Sequence, residues 1–90
     1  MEITIQTIGA ANHDDLARML VELDRRSDAE YETDKEAYQR TIKYIHDIGK
    51  KLDSEGGEDL MTSVLTTAGS IGCNTRFIER EWNGIGSWWG

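Results

Sequence analysis

The apolar side chains of residues 13–26 recur at the spacing of an α-helix. Four of them stand at positions i, i+3, i+4 and i+7 of one stripe: Leu16, Met19, Leu20 and Leu23. Asn12 comes directly before this stretch, where its side chain can accept a hydrogen bond from a free backbone N–H group. The pattern therefore predicts a first helix over residues 13–26, followed by a loop over residues 27–33.

A second, longer amphipathic stretch covers residues 34–54. Its stripe steps by three and four residues and comprises Tyr38, Thr41, Ile45, Ile48 and Leu52. The segment Thr33-Asp34-Lys35-Glu36 has the pattern of a capping box at its start. Gly56 and Gly57 mark its end, since glycine adopts without strain the left-handed conformation that terminates many helices.

The same spacing of apolar positions continues over residues 58–83. The stripe is formed by Met61, Val64, Ala68, Ile71, Thr75, Ile78 and Trp82. One helix over 58–83 is the simplest interpretation, although each glycine inside it costs about 1 kcal/mol relative to alanine. The alternative is a break near Gly72-Cys73-Asn74, with Asn74 capping a short fourth helix. The 90 residues are thus expected to form one mainly α domain, an antiparallel bundle of three helices, or of four if the break occurs.

Residues 2–8 show a different pattern, an alternation of β-branched and other side chains. Ile3 and Ile5 would lie on one face of a strand and Ile8 on the other, with Gly9 at its end. Such a strand has no obvious partner within the chain, so it would pair with a second copy or with the sheet edge of a target. The alternative is an extended arm whose isoleucines lie on the bundle.

The tail, residues 84–90, is rich in tryptophan and glycine. Trp82 just before it continues the helical stripe and is expected in the core. Trp88 and Trp89 are adjacent, so both are not expected to point into the same core. The tail therefore either folds back over the open end of the bundle or presents tryptophan to a partner, where this residue type often dominates binding.

Composition indicates a soluble globular protein, with 38% hydrophobic and 30% charged residues. No apolar run approaches the roughly 20 residues that cross a membrane, and the first residues lack the pattern of a signal peptide. Cys73 is the single cysteine and cannot form an internal disulfide, which favours a reducing, cytoplasmic location.

Residues able to carry catalysis are scarce. His13 stands beside Asp14 and Asp15, but consecutive helical residues diverge by about 100° and do not converge on one metal ion. His46 and Cys73 have no partner residues at the spacing of a known catalytic or metal-binding motif. We therefore expect no enzymatic activity, no metal and no cofactor.

Charge is the most informative property of the chain, which carries 17 acidic and 10 basic side chains for a net charge of −7. Residues 1–36 contain ten acids and four bases, whereas residues 37–90 contain seven and six. Asp28, Glu30, Glu32 and Asp34 alternate strictly, and in an extended loop their carboxylates would lie about 6–7 Å apart on one side, with Tyr31 on the other. Such a row resembles the phosphates of a nucleic-acid strand, although a solvated loop rich in helix caps is the alternative.

The predicted partner-binding surface consists of acidic residues and one tyrosine: Asp24, Asp28, Glu30, Tyr31, Glu32, Asp34 and Glu36. Trp88 and Trp89 are candidate anchors for a partner or for the tail.

These features predict a small non-catalytic inhibitor that binds a basic, nucleic-acid-binding protein or nucleoprotein complex, as anti-CRISPR, phage anti-defence and immunity proteins do. Direct binding to nucleic acid or to a membrane is not expected, because phosphates favour lysine and arginine. The alternative function is a small oligomerisation or adaptor subunit that assembles, for instance as a homodimer, through its N-terminal strand and tryptophan-rich tail.

Overall fold

A computed structural model describes residues 2–89 and has four α-helices in that range. They are α1 (Ile5–Ala10), α2 (His13–Glu30), α3 (Lys35–Ser70) and α4 (Thr75–Glu81). α3 is the centre of the arrangement, because α1, α2 and α4 all pack against it. The mainly helical fold class predicted from the sequence is confirmed, and no helix in residues 2–89 is long and apolar enough to span a bilayer.

The N-terminal strand predicted over residues 2–8 is wrong, because these residues lead into and form the short helix α1. Thr4 caps this helix: its hydroxyl accepts from the Thr7 backbone N–H at 3.1 Å, and the Thr7 hydroxyl accepts from the Thr4 N–H at 2.8 Å. Ile3 and Ile8 occupy the two positions of a hydrophobic staple, and both are buried. Ile5 faces solvent. In a single strand, the backbone hydrogen-bonding groups and the isoleucines of this segment would need a partner. In α1, the reciprocal cap satisfies backbone groups within the chain, and the staple buries Ile3 and Ile8.

α2 continues four residues beyond the predicted end at residue 26, so most of the predicted loop is helical. Polar side chains in and after this added turn bond to backbone carbonyls of the helix. The buried Ser27 hydroxyl donates to the Asp24 carbonyl at 2.7 Å, and the Thr33 hydroxyl donates to the Ala29 carbonyl at 2.6 Å. Because the helix face here is completed by polar residues, apolar periodicity alone does not show its length.

α3 bends at Gly57, whose φ of 68° and ψ of −158° interrupt the helical backbone. A straight helix of 36 residues would be about 54 Å long, whereas the longest dimension of the molecule is 35 Å. The first arm of α3, residues 35–56, and the second arm, residues 58–70, therefore turn back toward a common core. Only glycine adopts this φ readily, which explains the bend at the predicted Gly56-Gly57 boundary.

A continuous helix over residues 58–83 is wrong, and the alternative with a break is correct. The helix stops at Ser70, Gly72 takes a positive φ of 113°, and Asn74 caps α4 by accepting from the Phe77 N–H at 3.4 Å. Asp24 of α2 stabilises this break, because its Oδ2 accepts from the Asn74 backbone N–H at 2.9 Å.

The fully buried Trp82 lies where α4 meets the first arm of α3. Its indole N–H donates to the Ile45 carbonyl at 2.9 Å. Gly49 permits this close approach: a methyl group there would lie 2.6 Å from Nε1 of Trp82. The position of Trp82 in the core follows from the apolar stripe, but the need for glycine opposite it does not.

Candidate functional site

Most of the predicted acidic surface lies at one corner of the molecule, where α2 ends and α3 begins. We call residues 28–39 the acidic corner. α2 ends at Glu30, residues 31–33 form a turn, and the Asp34 N–H donates to the Glu30 carbonyl at 2.9 Å. Asp34 then caps α3 by accepting from the Ala37 N–H at 3.1 Å. The backbone of the corner is thus held by hydrogen bonds on both sides of the turn.

Three carboxylates of the acidic corner face solvent without a partner. Asp28, Glu32 and Glu36 are all exposed, and within residues 2–89 none of their carboxylates forms a hydrogen bond or an ion pair. Each therefore carries a negative charge that is neutralised only by solvent and mobile ions.

Two other acids of the predicted surface serve the fold instead. Asp24 is 8% exposed and bonds to Asn74, as described above. Glu30 is half-buried, and its Oε1 accepts from the hydroxyl of the buried Thr41 at 2.6 Å, which ties the end of α2 to α3. Neither carboxylate is available to a partner without disturbing these contacts.

The expected extended row of carboxylates is wrong, because residues 28 and 30 belong to α2. Residues two apart on a helix are separated by about 200°, so Asp28 and Glu30 point in nearly opposite directions. Their different exposure agrees with this geometry. The corner therefore does not reproduce the regular spacing of phosphates on a nucleic-acid strand.

The placement of Asp28 is unfavourable for the helix that carries it. The last turn of α2 contains no basic residue, although the C-terminal end of a helix carries a partial negative charge. A carboxylate in this position destabilises the helix by about 0.3–1 kcal/mol. Asp28 thus adds negative potential where the fold gains nothing from it, whereas Asp34 and Glu36 favour the start of α3.

An aromatic pair borders the exposed carboxylates. The rings of Tyr31 and Tyr38 are 5.3 Å apart between centroids and inclined at 72°, an edge-to-face contact. They line an open groove of about 460 Å³, together with Glu32, Lys35 and Gln39. Tyr31 is 63% exposed. A groove with aromatic walls and a carboxylate at its rim is suited to bind a cationic side chain.

Burial and nearby negative charge both affect the pKa of Tyr38. Its pKa is raised above the ordinary value, first by burial, then by the negative charge of Glu81 and by Tyr31. Tyr38 therefore remains a neutral phenol at physiological pH. The sequence assigned Tyr38 to the apolar stripe of the second helix and missed its part in this groove. In the sequence, their contact is indicated only by the separation of Tyr31 and Tyr38, which is seven residues across a short turn.

The two candidate tail anchors have opposite environments. Trp88 is 7% exposed, its indole N–H donates to the Glu79 carbonyl at 3.0 Å, and its ring meets that of Trp82 edge to face at 5.3 Å. Trp89 is 81% exposed. The tail thus folds back through Trp88, which leaves Trp89 alone as an exposed aromatic residue there.

The side chains with catalytic potential, two histidines and one cysteine, contact a carboxylate or are buried. His13 pairs with Glu55 at 3.0 Å, and His46 pairs with Glu81 at 3.1 Å. Burial and the nearby Asp24 raise the pKa of the Cys73 thiol to about 12, so it is protonated at neutral pH. Across residues 2–89, no three metal-ligating side chains lie close enough together to hold an ion.

Comparisons with known proteins give no relative: no protein-family model, no curated protein and no solved structure matches this chain.

Proposed function

We propose that this protein is a non-catalytic inhibitor that binds a basic, nucleic-acid-binding protein through its acidic corner. The observation that carries the proposal is the exposed, unpartnered carboxylate of Asp28 in the last turn of α2, where the helix dipole disfavours it, in the same corner as the exposed Glu32. Residues that weaken local structure without a compensating contact are typical of functional surfaces. A cationic partner would supply that contact.

The charge distribution supports a protein partner with a positive surface. Residues 1–36 hold six of the seven excess negative charges, and the acidic corner, with five acids and one base, produces a negative field. Such a field accelerates encounter with an oppositely charged surface and repels nucleic acid. By covering a surface rich in lysine and arginine, the protein would compete with nucleic acid for it.

The alternative function, assembly through an N-terminal strand and the tail, receives less support. Residues 5–10 are helical, so no strand edge is available there, and Trp88 is used within the chain. The acidic corner does not depend on either element.

The proposal is tested by capture followed by a competition assay. The immobilised protein is exposed to a lysate of its native host at low salt, and the captured proteins are identified by mass spectrometry. We expect a basic protein that loses its bound DNA or RNA in an electrophoretic mobility assay when this protein is added. The variant D28N/E32Q/E36Q, which removes the three exposed carboxylates, should neither capture that protein nor release its nucleic acid. A captured protein that keeps its nucleic acid at saturation would contradict inhibition by competition.

A further inference from the structure

The groove beside the exposed carboxylates has a composition that selects among cations. Its walls are the rings of Tyr31 and Tyr38, and its rim carries Glu32 and the amide of Gln39. Its volume of about 460 Å³ lies in the range of small-ligand pockets, so it can hold one long side chain.

The aromatic contact leaves ring surface available. In an edge-to-face pair, the edge of one ring covers a face of the other, and further faces stay free. Tyr31 is 63% exposed, so much of its ring is open to solvent. The face of a tyrosine ring attracts a cation, and the planar guanidinium group of arginine stacks on such a face.

The carboxylate at the rim complements this surface. Glu32 is exposed and has no hydrogen-bond or ion-pair partner among the described residues, so both of its oxygens are available. A guanidinium group can donate two parallel hydrogen bonds to a carboxylate, which an ammonium group cannot do. Glu81 adds negative charge near Tyr38, because it contributes to the raised pKa of that phenol.

We infer that the groove between Tyr31 and Tyr38 binds an arginine side chain of the basic partner, stacked on Tyr31 and paired with Glu32. This inference rests on the proposed function and adds a chemical preference to it: the partner segment that docks here contains arginine rather than lysine alone. Lysine would be attracted by the same carboxylates but would gain less from the rings, because its ammonium group is compact and strongly hydrated.

Lys35 places a positive charge in the groove. It lines the groove and is exposed, and it forms no ion pair within residues 2–89. Its charge repels an arriving cation, so its removal should strengthen binding. Lys50 is also exposed and lies on the same helix, about two turns from the bend of α3 and away from the groove, so K50Q is a matched control with the same change in charge.

The test uses two fluorescent peptides, one of eight arginines and one of eight lysines, titrated with the full chain at low salt. The parent should bind the arginine peptide more tightly. Y31L, which keeps an apolar side chain but removes the ring, should weaken arginine binding about three- to tenfold and change lysine binding by less than twofold. Y31F, which keeps the ring, should retain the preference. K35Q should bind both peptides more tightly than K50Q does. Circular dichroism checks that each variant is folded.

The outcomes separate this inference from the proposed function. If D28N/E32Q/E36Q abolishes binding of both peptides while Y31L binds them as the parent does, the acidic corner is a cation-binding surface and the arginine groove is wrong. If the parent binds the two peptides equally, the inference is also wrong. If the parent binds neither peptide, the proposed function and the inference both fail.

Discussion

Replacing Trp88 and Trp89 separately by alanine compares two adjacent tryptophans in opposite environments. Trp88→Ala removes a side chain that is 7% exposed, together with its hydrogen bond to the Glu79 carbonyl and its ring contact with Trp82. Trp89→Ala removes one that is 81% exposed. The two variants have the same composition, so any difference between them comes from the environment of the side chain.

The expected magnitude follows from the contacts of Trp88. Truncation of a buried tryptophan to alanine costs about 3–5 kcal/mol, which includes about 0.5–1.5 kcal/mol for the aromatic pair and a similar amount for the hydrogen bond. The hydrogen bond from Trp88 to the Glu79 carbonyl is only partly buried, so we expect a value at the lower end of this range, about 3 kcal/mol. Trp89→Ala should change the free energy of unfolding by no more than about 0.5 kcal/mol.

The assay is urea and thermal unfolding, both followed by circular dichroism at the helix band, because tryptophan fluorescence changes with the substitution itself. In a domain of this size, about 3 kcal/mol corresponds to a fall in Tm of roughly 12 °C or more. Equal stability of the two variants would refute the folded-back tail. A larger loss for Trp89→Ala would show that the wrong tryptophan has been placed in the core.

Three further predictions concern the core and the surface ion pairs. Gly49→Ala should lower the free energy of unfolding although alanine favours helix by about 1 kcal/mol, because its methyl group would overlap the indole of Trp82. Gly9→Ala is the control: no atom lies within 4 Å of the added methyl group, so this variant should not destabilise the protein, and denaturant midpoints compare the two variants. In the folded chain, Cys73 should react with a thiol reagent at pH 8 about three orders of magnitude more slowly than in the urea-unfolded chain, since its raised pKa of about 12 leaves little thiolate. Equal reaction rates in the two states would contradict the burial of Cys73. Hydrogen bonds from Lys51 and His13 lower the pKa of Glu55. The stabilising contribution of Glu55 is therefore present above the unfolded-state pKa near 4.5 and is lost as the pH falls through the lower folded-state pKa. The Tm difference between the parent and Glu55→Gln should be largest near neutral pH and vanish in acid.

The sequence predicts the helical core well where apolar residues carry the pattern. The apolar stripes of α2 and α3 are buried at six of their predicted positions: Leu16, Leu20, Leu23, Ile45, Ile48 and Leu52. It fails where polar groups or short-range caps decide the structure. The alternation of Ile3 and Ile5 suits a strand, but the Thr4–Thr7 cap and the burial of Ile8 favour a helix.

The same limit applies to the candidate site. Local sequence shows that acids are concentrated between residues 22 and 36, but it does not show that Asp24 and Glu30 are held by Asn74 and Thr41, which are distant in the chain. It also assigns Tyr38 to the core, because a stripe at helical spacing does not distinguish its buried members from one at the end of a helix. Long-range contacts thus decide which acids and which aromatic residues remain available to a partner.

We propose that the acidic corner, rather than net charge alone, binds the basic partner. The decisive measurement is the affinity of the octa-arginine peptide for the parent and for two triple variants that each lose three negative charges. D28N/E32Q/E36Q alters the corner, and E2Q/D14N/D59N alters exposed acids elsewhere. We predict that the corner variant loses affinity about tenfold or more, that the control variant stays within about threefold of the parent, and that added salt reduces the difference. Equal losses in the two variants would contradict the claim, because they would show that the peptide responds only to total charge.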